Sequence, residues 1–513
     1  SSRNSLGKNL DKHNGMTVNE FISTEFIYES IRGMGLSKSP GPDGLPIEFY
    51  ELLMTHGTDK DILINWLQAV YRHSYRSGIL PKQMRKSQIK LLYKKDSEED
   101  KKYPKNYRPI ALLNVDYKIL SKLLANKLKD ELTHIISTDQ YCMPKKYIGD
   151  LITLIQSTIN DPNNKDTERL LAFLDFEKAF DSVNHEFTFE AMKAFGTPQE
   201  FIRFTQLGFN QTSACCIING KRTKYFPLPG GGRQGDNSCL YPFIFAIVMQ
   251  VFNIAIDKHQ LKGTDLNTHQ NINITLGQYA DDSTVFGDGR NDYIKLRSAV
   301  QEFESASGMV VNWDQSIIMR LADEFDLLHN DQIKVLLRGQ QTRVLGIMMG
   351  HSLDDNNAYN KLHDKIKGAL NSNIRSLGCE IRDTLTVNSV AIGTCVFNLS
   401  FEYISNKQIK KLEVMFNNFI RGTCYLTSDR KRLSNSKDGQ IVTKMSLLDL
   451  VTTLRASWIF KIMCSCKWQT YTYLWIEEIH EIAILYKHKC IHHLLNSSII
   501  PNTTSKKVPK FTQ

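Results

Sequence analysis

Three acidic residues at two places in the chain could do chemistry together. Asp175 directly follows Leu170-Leu171-Ala172-Phe173-Leu174, an apolar run of strand length, and opens Asp175-Phe176-Glu177-Lys178-Ala179-Phe180-Asp181. About a hundred residues later, Gln278-Tyr279-Ala280-Asp281-Asp282-Ser283-Thr284-Val285-Phe286 sets two adjacent carboxylates between extended apolar stretches, bracketed by Gly277 and Gly287. The simplest structure for it is a β-hairpin whose tight turn carries Asp281 and Asp282. An Asp at a strand end commonly caps the helix that follows, and paired acids commonly sit in solvated turns. Like charges gathered near a sheet, however, are costly unless a cation compensates them. Three carboxylates meeting at strand ends form a hard, oxygen-rich site suited to Mg²⁺. Two such ions clamp the attacking and leaving oxygens of an in-line phosphoryl transfer. In that scheme Asp175 and Asp281 bridge the ions and Asp282 supports them.

Other candidates surround this centre. Lys94, Lys95 and Arg108 lie on a basic loop and its return strand, suited to gripping a triphosphate. Lys101 and Lys102 read as a solvated charge run. Gly230-Gly231-Gly232-Arg233-Gln234-Gly235 lets the backbone approach a ligand closely, just before an apolar helix. Near the C-terminal end, Cys464-Ser465-Cys466 and Cys490-Ile491-His492-His493 depart from the spacing of structural zinc sites. The first pair falls in an expected helix, Leu454 to Trp468, where residues two apart face different sides. Buried thiols are the expectation there. The aromatics Trp458, Trp468, Tyr471, Tyr473 and Trp475, among basic residues, could stack on nucleic acid, but such residues are more often core.

The elements that must position these groups are legible as periodicities. Helical spacing marks Phe21 to Met34, followed by the turn Ser39-Pro40-Gly41-Pro42-Asp43-Gly44. Further helices are expected from Pro46 to His56, Lys60 to Ser77, Asp116 to Ile136 and Tyr241 to Ile256. Strands are expected at Ile89 to Tyr93, Leu170 to Leu174, Ala214 to Ile218 and Ser283 to Phe286. The region after Lys361 reads almost wholly as helix. This is an α+β middle flanked by helical ends.

At 513 residues the chain is long enough for several packed units. Its net charge of +10, from 64 Lys+Arg against 54 Asp+Glu, is only a weak pointer to a nucleic-acid partner. Ten cysteines without a regular framework read as reduced intracellular thiols. No apolar run is expected to reach the roughly 18–20 residues of a membrane helix, and no signal peptide opens the chain. The opening Ser1-Ser2-Arg3-Asn4 lacks an initiator Met, as expected of a fragment or processed piece.

In their order and spacing, the blocks FLDFEKAFDSV and YADD resemble palm motifs A and C of reverse transcriptases. More specifically, the chain resembles the polymerase of LINE-type (non-LTR) retrotransposons. LSKSPGPDGLPIEFYELL is similar to the block that precedes the fingers in that family, and NYRPIALLNVDYKILSKLLANKL to its fingers motif. GGGRQGD resembles motif B, SGMVVNWDQS motif D, and VLGIMMG the block leading to the primer grip.

The resemblance implies a right-hand polymerase fold of fingers, palm and thumb, with a helical N-terminal extension and a helical C-terminal segment. The expected divisions are residues 1–35 for the extension, 36–165 for the fingers, 166–350 for the palm, 351–440 for the thumb and 441–513 for the final segment. It implies Asp175, Asp281 and Asp282 as catalytic residues and Asp175, Phe176, Asp281 and Asp282 as the metal-holding set. The cofactor would be two Mg²⁺ ions, with Mn²⁺ as substitute. Lys94 and Arg108 would contact the triphosphate, Phe180 would stack under the sugar and exclude a 2′-hydroxyl, and Gln234 and Gly235 would meet the incoming nucleotide. Expected partners are an RNA template, a DNA primer or target DNA, and dNTPs, with no membrane. The expected location is intracellular, in nucleus and cytoplasm. The alternative from another class is an RNA-binding scaffold that kept this fold and lost its chemistry.

Two departures stand out. Asn237-Ser238-Cys239-Leu240 replaces the usual Pro-rich continuation of motif B. Gln315 stands where motif D usually has a lysine, and Gln cannot donate a proton to the leaving pyrophosphate as a lysine does.

Overall fold

The computed structural model describes residues 17–421 except 56–58, 94–97, 162, 165–166, 229, 233–239, 267–271, 323–332, 338–339, 351–354, 373–386 and 403. The expectations for Lys94, Gln234, Gly235 and the C-terminal cysteines, histidines and aromatics lie outside the described residues. Described residues within 1–151, 165–264 and 273–337 form one compact unit, and those within 152–164, 265–272 and from 338 onward form another.

The first unit opens with helices α1 (Val18–Phe21), α2 (Thr24–Arg32), α3 (Ile47–Thr55) and α4 (Asp59–Ser77). The expected single helix from Phe21 to Met34 is corrected to two. The apolar spacing runs on, but Thr17 and Ser23 each accept a hydrogen bond from a backbone N–H three residues ahead, so each starts its own helix. Strands β1 (Lys86–Tyr93) and β2 (Tyr107–Leu113) pair antiparallel and lead into α5 (Val115–Ile135). The turn Ser39 to Gly44 docks at the start of α5. There Asn114 Oδ1 accepts from Asp43 N at 3.3 Å, and its Nδ2 donates to Gln83 O at 3.2 Å. A Cβ on Gly41 would lie 2.2 Å from that Oδ1, so only glycine fits.

Helix α6 (Ile148–Ile159), which from Ile152 on belongs to the second unit, precedes β3 (Arg169–Leu174), whose six residues are all buried. Then follow α7 (Ala179–Ser182), α8 (His185–Ala194), α9 (Gln199–Phe209), β4 (Ser213–Ile218), β5 (Lys221–Arg222), β6 (Phe226–Pro227) and α10 (Leu240–Lys258). Short strands β7 (Thr264–Leu266) and β8 (Ile272–Ile274) come before the hairpin β9 (Leu276–Tyr279) and β10 (Asp282–Asp288). Helix α11 (Gly289–Ser307), β11 (Ile317–Arg320) and β12 (Lys334–Leu336) complete the unit.

One sheet has the order β2-β1-β4-β5, with β6 also on β4; the second has the order β12-β11-β3-β10-β9. Strand β3 is central in the second sheet. On one face, Leu170, Ala172 and Leu174 pack with Val285 and Ile318 against α10 and α11, through Phe252, Tyr293, Leu296 and Phe303 among others. That face is the alternation that strand geometry requires. The expectation of no membrane-length apolar run is corrected by α10. Its 19 residues are long and apolar enough to span a membrane, but most of that stretch is buried. It is a core helix of this unit, touching both hydrophobic clusters.

Asp116, in the first turn of α5, is pushed up to about 6, by burial first and by the charge of Asp43. The folded chain therefore holds this proton more tightly than the unfolded chain, where Asp titrates near ~3.9. Its contribution to stability is full below about pH 4 and is lost as the pH rises through about 6. Asp116→Asn is expected to flatten that decline. Thermal melts of parent and variant should agree best at pH 4 and diverge in the variant's favour at pH 7; the opposite trend would refute the assignment.

In the second unit, β13 (Gln341–Val344) and β14 (Ile347–Gly350) form a hairpin whose turn residues Leu345 and Gly346 both have positive φ. Helices α12 (Asp355–Ser372), α13 (Gly393–Phe401) and α14 (Asn406–Arg421) build a separate core around Leu362, Ile366, Cys395, Leu399, Leu412 and Phe416. The described part after Lys361 is helical, as its sequence reads.

Candidate active site

Asp175 stands one residue beyond β3, and the β9–β10 hairpin brings the other two acids to the same edge. The register pairs Ser283 with Leu174, so the next step places Asp282 beside Asp175. The expected turn is corrected by one position. It consists of Ala280 and Asp281, while Asp282 already pairs with Tyr279 as the first residue of β10. Ala280 adopts φ 57°, a left-handed conformation uncommon outside glycine.

The two hairpin acids are unequally open: Asp281 is half-buried and Asp282 exposed at its tip. Enough protein surrounds both carboxyls to perturb them. Desolvation raises Asp281, opposed by its own backbone N–H and by the Arg108 guanidinium. Asp282 is pushed up to about 6, by desolvation first and then by the negative charges of Asp281 and Asp175. The three carboxylates therefore sense one another, as expected of a shared site. Among the described residues no three acidic, His or Cys side chains stand gathered into a closed metal cage. An open constellation of this kind suits Mg²⁺, which is ordinarily held by one or two carboxylates plus substrate phosphates.

The backbone of Asp175 is gripped by the segment around Gln315. Asn312 N donates to Asp175 O at 2.7 Å, and Asp175 N donates to Ser316 Oγ at 3.1 Å. Ser316 Oγ in turn donates to Asn312 O at 2.8 Å. Asn312 and Ser316 were not among the expected site residues; their place beside Trp313 in one block is the signal that could have found them. Gln315 itself lies in an exposed turn. Phe176 buries its ring against Phe252 and Phe303, leaving only its main-chain carbonyl available to a metal.

Phe180 is half-buried, on the short helix α7. Its ring stacks on Phe245 with centroids 4.3 Å apart and tilts against Tyr241 at 5.8 Å. Its carbonyl accepts from Gly232 N at 2.8 Å and from Tyr241 Oη at 2.7 Å. Gly231 N donates to Val183 O at 3.2 Å, and His185 Nε2 lies 2.8 Å from Gly231 O. The glycine run is thus zipped onto the segment carrying Phe180. Arg108 is exposed on β2, opposite Leu92, and within electrostatic reach of Asp281.

Residues 93–349, half of the chain, match the family model of the reverse transcriptase (RNA-dependent DNA polymerase). Over 297 residues the chain is 28% identical to the Transposon TX1 uncharacterized 149 kDa protein of Xenopus laevis, covering 58% of this chain and 22% of that protein. It is 23% identical over 283 residues to the Retrovirus-related Pol polyprotein from type-2 retrotransposable element R2DM of Drosophila melanogaster, covering 55% and 25%. It is also 22% identical over 307 residues to the RNA-directed DNA polymerase from mobile element jockey of Drosophila melanogaster, covering 58% and 31%. The matches thus span no more than about a third of these relatives' own lengths. With the motif blocks in place and the matched span enclosing all three aspartates, the chain belongs to the reverse transcriptase family, with distant relatives among non-LTR retrotransposons.

Proposed function

We propose that this chain extends a primer 3′-hydroxyl with dNTPs on an RNA template, using Asp175, Asp281 and Asp282 as its catalytic, metal-holding residues. The observation that carries the reading is the meeting of these carboxylates at the ends of β3 and β10, within the family-matched span. The donor set fits a divalent ion: it offers only oxygens, and its mutual repulsion is what such a cation relieves. Bound as a pair, Mg²⁺ or Mn²⁺ ions would activate the 3′-hydroxyl and neutralise the departing pyrophosphate.

The chain's own residues do the rest. Asp175, Asp281 and Asp282 would hold the ions, and Phe176 would offer its carbonyl. Arg108 and Lys94 grip the triphosphate, while Gln234 and Gly235 meet the incoming nucleotide. Phe180 is the floor under the sugar; stacked on Phe245, it has little room to retreat from a 2′-hydroxyl. In this reading residues 166–350 are the palm, 36–165 the fingers and 351–440 a helical thumb, flanked by 1–35 and 441–513. The duplex would be held through its phosphates, so affinity falls with salt. By family analogy, synthesis starts from a nicked chromosomal 3′ end.

Primer extension on a defined RNA template with dNTPs and Mg²⁺ tests the proposal. The parent is expected to extend. A folded parent that binds the primed template without extending it would instead be a non-catalytic RNA-binding scaffold. In the same assay Phe180→Ala is expected to raise ribonucleotide use relative to deoxynucleotide use by about 10-fold or more. An unchanged ratio would remove Phe180 as the gate.

A further inference from the structure

Behind the acidic hairpin runs a segment, residues 137–146, that joins α5 to α6 and had no expected role. It is built as a rigid bracket. Gln278 N donates to Asp139 O and Tyr141 N donates to Gln278 O, each at 2.7 Å, so the segment adds a parallel rung to the edge of β9. Lys146 Nζ donates to the carbonyls of Ser137, Thr138 and Gln140 at 2.9, 3.0 and 2.9 Å. Ser137 N donates to Gln250 Oε1 at 2.7 Å, and Asn253 Nδ2 to Asp139 Oδ2 at 3.2 Å, which ties the bracket to core helix α10.

From this bracket one buried side chain, Gln140, 1% exposed, reaches the turn. Its Oε1 accepts from Ala280 N and from Cys142 N, both at 3.0 Å. Its Nε2 donates to Ala280 O at 3.3 Å. Two N–H groups facing Oε1 and a carbonyl facing Nε2 leave the amide only one workable orientation. A single amide thus satisfies both backbone polar groups of Ala280, the residue held at φ 57° immediately before the two aspartates. That conformation is disfavoured for an L-residue such as alanine, so it persists only where its surroundings over-determine it.

We propose that Gln140 is the positioning residue that sets the aim of Asp281 and Asp282, by clamping Ala280 in the left-handed conformation that turns both carboxylates toward Asp175. The inference rests on the reading of the three aspartates as the catalytic, metal-holding group. Gln140 touches no reacting atom; it acts through the backbone of one residue. A methionine would fill its volume and make none of the three bonds. A glutamate would keep the two acceptor bonds, repel Ala280 O and bring a third charge to the hairpin.

The test combines Gln140→Met, Gln140→Glu, Ala280→Gly and the double variant Gln140→Met/Ala280→Gly. Hydrogen exchange of the metal-free protein is read alongside primer-extension kinetics. The Ala280 amide should be protected in the parent and exchange at least 10-fold faster in Gln140→Met. That variant's kcat should fall 10- to 100-fold, with the dNTP KM changed less than three-fold, and Gln140→Glu should do no better. Glycine at 280 removes the conformational cost, so the double variant should regain at least a third of the lost kcat on a logarithmic scale. A residue that merely stabilised the core would show no such rescue.

Fast exchange at Ala280 in the parent would overturn the proposal without any variant. So would Gln140→Met with parental kcat, or a double variant no better than Gln140→Met alone. If the parent extends primers equally well after Asp281→Ala and Asp282→Ala, the underlying reading fails instead, and the two failures are told apart.

Discussion

Asp282→Asn is expected to abolish primer extension, by about 10³-fold or more, and to leave the protein folded. The substitution keeps the shape of the side chain and removes one of three mutually repelling charges. Asp282 lies beside Asp175 in the sheet register, and the charges of Asp175 and Asp281 both raise its pKa. Losing the charge therefore relieves strain in the metal-free protein while removing a donor from the proposed ion site. Activity and stability should move in opposite directions, the signature of a group held in place for chemistry. Primer extension and thermal melting without divalent ions, run on the same preparation, check both arms. Extension within ten-fold of the parent would sink the assignment. A melting temperature several degrees lower would mean that the side chain serves the fold instead.

Gly231→Ala is the second large effect. Gly231 has φ 65°, and a Cβ there would fall 2.3 Å from Asp181 O and 2.4 Å from Asp181 C and Cα. These are backbone atoms one residue beyond Phe180 and cannot swing aside. The left-handed conformation and the overlap together are expected to cost about 2–5 kcal/mol. The displaced backbone should also disturb Phe180, whose carbonyl is tied to the neighbouring Gly232. Gly220→Ala is the matched control. Gly220 also has positive φ, at 77°, but nothing lies within 4 Å of its would-be Cβ. Only the conformational cost of about 1 kcal/mol remains there. Urea denaturation of the two variants separates strain from overlap. Equal losses would show that Asp181 yields more easily than its backbone contacts imply.

What could be read from the sequence follows from the range of the interaction concerned. Strand β3 was legible because six consecutive residues are buried and the run ends in an acid. The β9–β10 hairpin was legible as alternation around paired carboxylates. Its turn was misplaced by one residue, because the position of Ala280 is decided by Gln140, which lies 140 residues away and leaves no local pattern. Ser316 and Asn312 escaped notice for the same reason: their partner, the Asp175 backbone, is distant in sequence. The break between α1 and α2 depends on two hydroxyl caps that the apolar spacing overrides. Hydropathy also cannot separate a membrane helix from α10, since both present apolar residues on every side.

The docking of the Ser39–Gly44 turn onto Asn114 has a practical consequence for making this protein. Helices α1 to α4 and α5 belong to one hydrophobic cluster with Leu240, Ile244 and Ile247 of α10, and β1 is an inner strand of the first sheet, between β2 and β4. An expression clone trimmed to residues 93–349, the span that sequence likeness alone recommends, would delete β1 almost whole. It would also strip the cover from the apolar face of α5. Such a product would be sticky and poorly soluble for reasons unrelated to catalysis. A useful boundary on the N-terminal side lies before Thr17, where the first helix cap begins.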